Sequence, residues 1–334
     1  MKIIVRAPNW IGDAVMSLPA ISCLHQNYPS AEIWIAAKGW VKDLYLGYDF
    51  INHIFCIPDK PVISSLKQAA EKIKKQNFDI GLLLTNSFVS AMMFYMARIP
   101  ERWGYNRDGR FFLLTSKIRV PKFEEKRHHV QYYLHLLSGL GLAVDNPKLS
   151  LPLREDEVRE ADDRLRSYGI GFDNPIVMLN PGAFYGTAKQ WPISRFITLA
   201  QMLQEQSNAD IVIVGSPKER VLADTIASRL TRKPLVLTGE TSLRQLASLI
   251  HHASLFVSND SGPMHIANAV KTPVIAIFGP TDHRVTGPFQ PPSLIIRKEA
   301  PCWPCLYRKC PFDHRCMLSI QPKEVFQACQ RYLS

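Results

Sequence analysis

Short apolar runs alternate with amphipathic segments along almost the whole chain, and this alternation constrains the fold more than any other feature. In the N-terminal half it predicts strands and helices at Lys2–Arg6, Asp13–Gln26, Glu32–Ala36, Ile54–Ile57, Val62–Lys75, Asp79–Leu84 and Ala91–Ala97. Strands that alternate with helices of roughly ten to fifteen residues indicate βαβ units, which build a parallel sheet covered on both faces.

A second series of the same kind follows a charged helix that is predicted at Arg154–Ser167. Its elements are predicted at Ile176–Asn180, Ile193–Glu205, Asp210–Val214, Lys218–Leu230, Leu235–Leu237, Leu243–His251, Leu255–Ser258, Pro263–Ala269, Val274–Phe278 and Pro322–Leu333. The 334 residues are too many for one ordinary core and suit two domains of about 150 residues each.

We therefore predict an α/β protein with two doubly wound, Rossmann-like domains that face a cleft. The N-terminal domain spans residues 1–152, a linker helix spans 153–173, and the C-terminal domain spans 174–320. The C-terminal helix, residues 321–334, is expected to pack back on the N-terminal domain. Ligands of such sheets bind at the carboxyl ends of the strands, so the loops that follow the strands are where chemistry is expected.

Composition and charge narrow the class of protein and its partners. With 46% hydrophobic residues and seven cysteines, the chain is neither disordered nor a disulfide scaffold. No secretion signal follows Met1, and polar residues interrupt the longest uncharged stretch, Ile80–Ala97, so we expect a cytoplasmic protein without a membrane span. The net charge is +11, and residues 1–152 carry 19 basic against 12 acidic groups, which predicts an anionic partner for this half.

The first loop, Ala7–Asp13, follows the first predicted strand and leads into a helix. It lacks the GxGxxG turn of nicotinamide-binding proteins, and no GxxxxGK[ST] phosphate-binding loop occurs in the chain. Two interpretations of Asp13 stay open. It caps the helix that follows, or it is a carboxylate at the mouth of the cleft that accepts a proton.

Two loops in the second half have the composition of anion-binding sites. In Asn180–Pro192 the glycines Gly182 and Gly186 let backbone N–H groups approach an oxyanion, while Thr187 and Lys189 add a hydroxyl group and a cation. In Ser258–His265, Asp260 or Ser261 is expected to cap a helix whose free N–H groups can hold a diphosphate without a metal ion. Glu219 follows another strand, where it either bonds a ribose diol or is a surface glutamate.

The fourth feature is a cysteine cluster near the C-terminus, with His314 inside it: Cys302, Cys305, Cys310 and Cys316. Its spacing allows a structural metal site but does not match a zinc ribbon, so reduced thiols in an irregular loop are the alternative. The paired histidines His128–His129 and His251–His252 are predicted to be packing or solvated residues. A nucleic-acid-binding protein with a zinc knuckle is a remote alternative that leaves both anion loops unexplained, so we expect no nucleic-acid partner.

Five segments carry a resemblance to a known family: Arg6–Asp13 (RAPNWIGD), Asn180–Pro192 (NPGAFYGTAKQWP), Gly215–Arg220 (GSPKER), Ser258–Ile266 (SNDSGPMHI) and Phe278–Asp282 (FGPTD). The sequence resembles the ADP-heptose:lipopolysaccharide heptosyltransferases, glycosyltransferase family 9, which have the GT-B fold. The opening NWIGDAVMSLPA and the cysteine cluster are most similar to members that add the second heptose of the inner core. Members that add the first or the third heptose are the alternative.

This resemblance implies an inverting, metal-independent glycosyltransferase that needs no cofactor. It would move L-glycero-D-manno-heptose from ADP-heptose to the heptose of Hep-Kdo2-lipid A, at the cytoplasmic face of the inner membrane. By resemblance, Asp13 is the catalytic base and Lys189 contacts the donor diphosphate and assists catalysis.

Further residues are implied in binding. The resemblance places the donor, ADP-heptose, against Gly182, Ala183, Gly186, Thr187, Glu219, Asp260, Ser261, Gly262 and His265, with the ribose on Glu219 and the heptose on Asp260. The basic excess of residues 1–152 suits that anionic acceptor, and the candidate contacts are Asn9, Trp10, Arg98, Arg102, Arg107, Arg110 and Lys117. For the basic residues, a solvated surface is the alternative.

Overall fold

The computed structural model describes residues 1–59, 62–121, 128–145 and 147–333. The chain divides into two compact units, Met1–Pro152 and Leu153–Ser334. Each unit contains a six-stranded parallel sheet, which confirms the predicted α/β class. In the described ranges, no helix has the length and apolar character that crossing a membrane requires.

The sheet of the first unit has the strand order β3-β2-β1-β4-β5-β6. Its strands are β1 Lys2–Arg6, β2 Glu32–Lys38, β3 Ile51–Ile57, β4 Ile80–Leu83, β5 Glu101–Tyr105 and β6 Ser116–Ile118. The helices of this unit are α1 Ile11–Met16, α2 Leu18–Asn27, α3 Ile63–Lys74, α4 Phe88–Met96 and α5 His129–Gly139. Because all neighbouring strands are parallel, their carboxyl ends share one edge of the sheet.

The helix that the sequence predicts at Asp13–Gln26 is two helices in the structure. It starts earlier, at Ile11, with Trp10 at the N-cap position, and it breaks at Ser17, whose hydroxyl group donates to the carbonyl of Ala14. Asp13 therefore lies inside the first turn of α1, where its charge faces the positive end of the helix dipole. The interpretation of Asp13 as a cap is wrong.

The second unit has the strand order β12-β11-β10-β7-β8-β9. Its strands are β7 Ile176–Asn180, β8 Asp210–Ile213, β9 Leu235–Val236, β10 Leu255–Asn259, β11 Val274–Phe278 and β12 Ser293–Arg297. Its helices are α6 Glu155–Ser167, α7 Ile193–Gln206, α8 Arg220–Ala227, α9 Leu243–His251, α10 Gly262–Ala269, α11 His283–Thr286, α12 Arg315–Leu318 and α13 Pro322–Gln330.

The C-terminal helix packs within the second unit, and the prediction that it packs on the N-terminal domain is wrong. The physical reason is its apolar face: Val325, Phe326 and Cys329 of α13 share a buried cluster with Phe196 and Leu199 of α7. The predicted linker helix, α6, also belongs to this unit. Its Glu157 accepts hydrogen bonds from Arg244 of α9, 2.8 Å at Nε.

Candidate active site

The loops after β7 and β10 meet because these two strands are neighbours in the second sheet. Asn259, the last residue of β10, donates to the carbonyl of Pro181 over 2.7 Å and accepts from the N–H of Trp191 over 3.0 Å. Asn180, at the end of β7, accepts from the hydroxyl of Ser261 over 2.9 Å. Two buried asparagines thus fix the two predicted anion loops against each other. Sequence reasoning gave them no role, although each is a polar residue that ends an apolar strand.

Lys189 and Asp260, predicted separately as donor contacts, form an ion pair in which Nζ lies 2.5 Å from Oδ2. Thr281, which the sequence analysis missed, donates to the same oxygen over 2.6 Å. Only 12% of the lysine side chain and 5% of the aspartate side chain are exposed. An ammonium group has three donors, so Lys189 can hold Asp260 and still donate to phosphate oxygens. Its Nζ also lies 4.8 Å from the centroid of the Tyr185 ring.

The start of α10 has no side-chain cap hydrogen bond. Ser261 occupies the N-cap position, but its side chain makes no cap hydrogen bond and turns to Asn180 instead. The carboxylate of Asp260 is held by Lys189 and Thr281. Ser261 is thus the N-cap residue, one of the two that were predicted, but the capping hydrogen bond of its side chain is not made. Gly262 is the first residue of the helix, and His265 is buried in it.

Glu219 is half-buried in the first turn of a short 3-10 helix, Pro217–Glu219, where its side chain bonds back to Ser216. Its Oε2 accepts from the backbone N–H of Ser216 over 2.6 Å and from the Ser216 hydroxyl over 2.9 Å. A Cβ atom at Gly182 would lie 1.8 Å from Oε1, and one at Gly215 would lie 2.8 Å from Oε2. Both glycines are thus required to bring this carboxylate against the first anion loop. Ala183 is buried beside them.

The segment that carries the cysteine cluster, residues 302–316, contacts the second half of the anion loop Asn180–Pro192. The backbone carbonyl of Arg308 accepts from the N–H of Ala188 over 3.1 Å, and a Cβ atom at Gly186 would lie 2.2 Å from that oxygen. His314 Nε2 lies 2.8 Å from the carbonyl of Ala188. These contacts fix the turn that carries Lys189, whereas the neighbouring Thr187 is exposed.

The four clustered cysteines line one cavity of about 220 Å³: Cys302, Cys305, Cys310 and Cys316. Burial, together with the charges of the other three thiols, raises the pKa of Cys316 to about 11. Across the part of the chain that the structure describes, no group of three His, Cys, Asp or Glu side chains is placed to hold a metal ion.

In the first unit, Asp13 has a partner that the sequence analysis assigned to packing or solvent. Oδ1 of Asp13 lies 3.1 Å from Nδ1 of His129, the first residue of α5. The side chains are 27% and 39% exposed, so both reach solvent. Burial and, secondarily, the charge of Asp13 raise the pKa of Tyr133 well above its usual range, which keeps this neighbouring phenol protonated. No sequence pattern relates residues that stand 116 positions apart.

Asn9 and Trp10 lie at the same edge of the sheet as Asp13, in the loop between β1 and α1. The side chain of Asn9 accepts from Arg6 over 2.6 Å, and its carbonyl accepts from Nε1 of Trp40 over 2.7 Å. Trp10 and Trp40 are both exposed. Two indole rings therefore stand beside the loop that leads to Asp13, and Trp40 is the one that the sequence analysis did not single out.

The four arginines predicted to bind the acceptor do not form one surface. Arg110 is fully buried, where it donates to the carbonyls of Tyr105 and Thr85, so the prediction for this residue is wrong. Arg98 follows the end of α4, and Arg102 lies near the start of β5. Both therefore belong to the edge of the sheet opposite to Asp13, because α4 returns the chain from one edge to the other. Arg107 follows β5, is exposed and lies at the Asp13 edge.

The chain is similar to the proteins of one family over most of its length. Residues 66–315 match the model of glycosyltransferase family 9 (heptosyltransferase). Lipopolysaccharide heptosyltransferase 2 of Escherichia coli K12 is 29% identical, over 89% of this chain and 88% of that protein. Lipooligosaccharide heptosyltransferase 2 of Haemophilus ducreyi is 32% identical over 89% of this chain and 88% of that protein.

A solved structure gives the same result for the fold. The structure of ADP-heptose lps heptosyltransferase II from E. coli superposes with a TM-score of 0.87 and 27% identity, over 100% of this chain and 98% of that one. This likeness confirms the predicted GT-B fold.

Proposed function

Because this chain belongs to glycosyltransferase family 9, the heptosyltransferases, we propose that it moves L-glycero-D-manno-heptose from ADP-heptose to the first heptose of the lipopolysaccharide inner core, on Hep-Kdo2-lipid A. The observation that supports this most is the Lys189–Asp260–Thr281 cluster, which lies where two anion-binding loops meet in the second unit. The heptosyltransferase 2 relatives favour the second heptose over the first or the third.

The donor lies against the second unit in this proposal. Its diphosphate is held by the Gly182–Thr187 backbone, by Lys189 and by the uncapped start of α10, with Ser261, Gly262 and His265 around it. Glu219, which is fixed over Gly182, bonds the hydroxyl groups of the ribose. Asp260 is held on Oδ2 by two donors and presents its other oxygen to the hydroxyl groups of the heptose.

The reaction is a displacement at the anomeric carbon. Asp13 takes the proton of the acceptor hydroxyl group. The oxygen of that hydroxyl group then bonds to the anomeric carbon as the bond from this carbon to the diphosphate breaks. In-line attack inverts this centre, and ADP leaves with the bonding pair. Lys189 and the dipole of α10 stabilise the charge that develops on ADP, which is the role that a metal ion fills in other transferases. His129 holds Oδ1 of Asp13 and leaves Oδ2 to accept the proton.

Metal independence can be tested on the purified protein. We expect heptose transfer and ADP binding to be unchanged by EDTA, because a lysine and a helix terminus offset the diphosphate charge. The measurement is ADP release with and without EDTA, together with ADP affinity by calorimetry in the same buffers. Activity that EDTA abolishes and magnesium restores would contradict the proposal.

The proposed acceptor determines where in the cell the enzyme works. Hep-Kdo2-lipid A carries acyl chains, so the protein is proposed to work at the cytoplasmic face of the inner membrane as a peripheral protein. The net charge of +7 that residues 1–152 carry suits an acceptor with phosphate and carboxylate groups.

A further inference from the structure

Three consecutive residues of the first unit, Arg110, Phe111 and Phe112, reverse the usual distribution of polar and apolar side chains. In Arg110–Leu114 the arginine is fully buried, whereas Phe111 and Phe112 are 55% and 57% exposed. Leu113 and Leu114 then return to the core. Unpaired arginine is almost never fully buried, and large aromatic side chains are normally found inside, so this arrangement needs an explanation.

The two phenylalanines belong to a larger exposed apolar surface. The ring of Phe112 lies 6.0 Å from that of Phe88, at the start of α4, and 5.5 Å from that of Phe111. Val89, the next residue of α4, is also exposed. We call these four residues, Phe88, Val89, Phe111 and Phe112, the aromatic patch. Contiguous apolar surface of this kind marks an interaction site.

Arg110 holds the aromatic patch in place. Its guanidinium group donates to the carbonyl of Tyr105 over 3.1 Å, to the carbonyl of Thr85, and to Oδ1 of Asn86 over 3.3 Å. These acceptors lie at the ends of β5 and β4, so the loop is tied to two strands of the sheet. The phenylalanines are therefore exposed on a fixed support and not on a loose loop.

The aromatic patch lies at the same edge of the sheet as the proposed catalytic base. Phe88 follows β4 and Phe111 follows β5, whereas Asp13 follows β1. In the strand order β1-β4-β5, the last strand is two positions from the first. Two strand spacings amount to about 10 Å, which is short compared with an extended lipid-linked sugar chain.

Basic groups accompany the aromatic side chains. Nζ of Lys117 lies 5.8 Å from the ring centroid of Phe111. Arg107 is exposed at the same edge, where it contacts Asp108 in a solvated pair of 3.4 Å. Aromatic side chains flanked by lysine and arginine are the composition that inserts at the headgroup level of an anionic bilayer.

We propose that the aromatic patch docks this protein on an anionic lipid bilayer, with Phe111 and Phe112 inserted among the headgroups. Docking in this way turns the edge that carries Asp13 toward an acceptor whose lipid end is in the membrane. The inference rests on the proposed function for the identity of that acceptor, but the vesicle binding that it requires is independent of catalysis.

The test is vesicle flotation of the full chain with Phe111→Ser/Phe112→Ser. The vesicles contain phosphatidylcholine, alone or mixed with phosphatidylglycerol. The matched control is Tyr168→Ser/Val221→Ser, which removes two exposed apolar side chains of the second unit. Two phenyl rings that become buried in the bilayer would supply much of the binding energy. We therefore expect the phenylalanine variant to bind mixed vesicles at least about tenfold more weakly. The control variant should bind as the unaltered protein does.

Turnover separates docking from catalysis. With the acceptor embedded in mixed vesicles, transfer by the phenylalanine variant should fall, whereas transfer to the deacylated, soluble acceptor should stay unchanged. Equal vesicle binding by variant and unaltered protein would overturn the proposal. The proposal would also be overturned if light scattering shows that the unaltered protein is a dimer and that the substitutions dissociate it. The aromatic patch would then join two copies of the chain. If vesicle binding depends on the two phenylalanines but no acceptor receives heptose, the proposed function is contradicted and the docking surface is supported.

Discussion

Replacing Asp13 with asparagine is expected to lower heptose transfer by about 10²–10⁴-fold while the affinity for ADP-heptose stays the same. Asparagine has the shape of aspartate and can still bond His129, but it cannot take a proton from the acceptor. The loss corresponds to roughly 3–5 kcal/mol in the activation barrier. The measurement is kcat with saturating acceptor, together with donor affinity by calorimetry.

The free energy of unfolding should fall by no more than about 1 kcal/mol in this variant, because Asp13 is not the cap of α1, both side chains of its pair reach solvent, and only its interaction with the helix dipole is lost. Asp49→Asn removes an exposed carboxylate of the same unit and is the matched control. If Asp13→Asn turns over within about threefold of the unaltered protein, the base lies elsewhere.

Lys189→Ala is expected to weaken ADP binding and to lower transfer by about 10²–10³-fold, the range found when one preorganised electrostatic contact is removed. It should also destabilise the second unit. Asp260 is almost fully buried and would keep only Thr281 as a donor, and breaking a buried pair from one side costs about 3–5 kcal/mol. The measurements are ADP affinity, kcat and the free energy of unfolding in urea.

The double variant Lys189→Ala/Asp260→Asn separates the two effects. Removing both charges should recover much of the lost stability, because no uncompensated carboxylate remains, but it should not recover ADP binding or transfer. Lys233→Ala, which removes an exposed lysine of the same unit, is the control. If Lys189→Ala binds ADP and turns over as the unaltered protein does, the lysine is structural and the proposed donor site is wrong.

The alternation of strands and helices was enough to predict both sheets, but it missed strands at their edges and one strand, β5, next to an edge. In β5, Glu101 and Arg102 begin a strand that has no continuous apolar run, and β6 has only three residues. The edge strand β12 was missed as well, although it pairs with β11 along five residues. Edge strands have one neighbour and are partly solvated, so their sequences carry a weaker hydrophobic pattern.

The sequence also indicated which loops carry chemistry, but not which side chains meet in them. Lys189 and Asp260 are 71 residues apart, and only the neighbouring positions of β7 and β10 bring them together. Arg110 was predicted to contact the acceptor because it is one of the residues that give the first half its positive charge. Its burial depends on carbonyls at the ends of two separate strands, which no local pattern reveals.

Incubation of the purified protein with ADP-heptose and acceptors that carry zero, one or two heptoses tests the central claim most directly. Mass spectrometry of the products, with ADP release as the second readout, identifies the acceptor that is used. We expect one heptose to be added to the acceptor that carries one, with little or no product from the other two. Equal or faster transfer to the acceptor with zero or two heptoses would contradict the proposed acceptor, and no ADP release with any of them would contradict the proposed function.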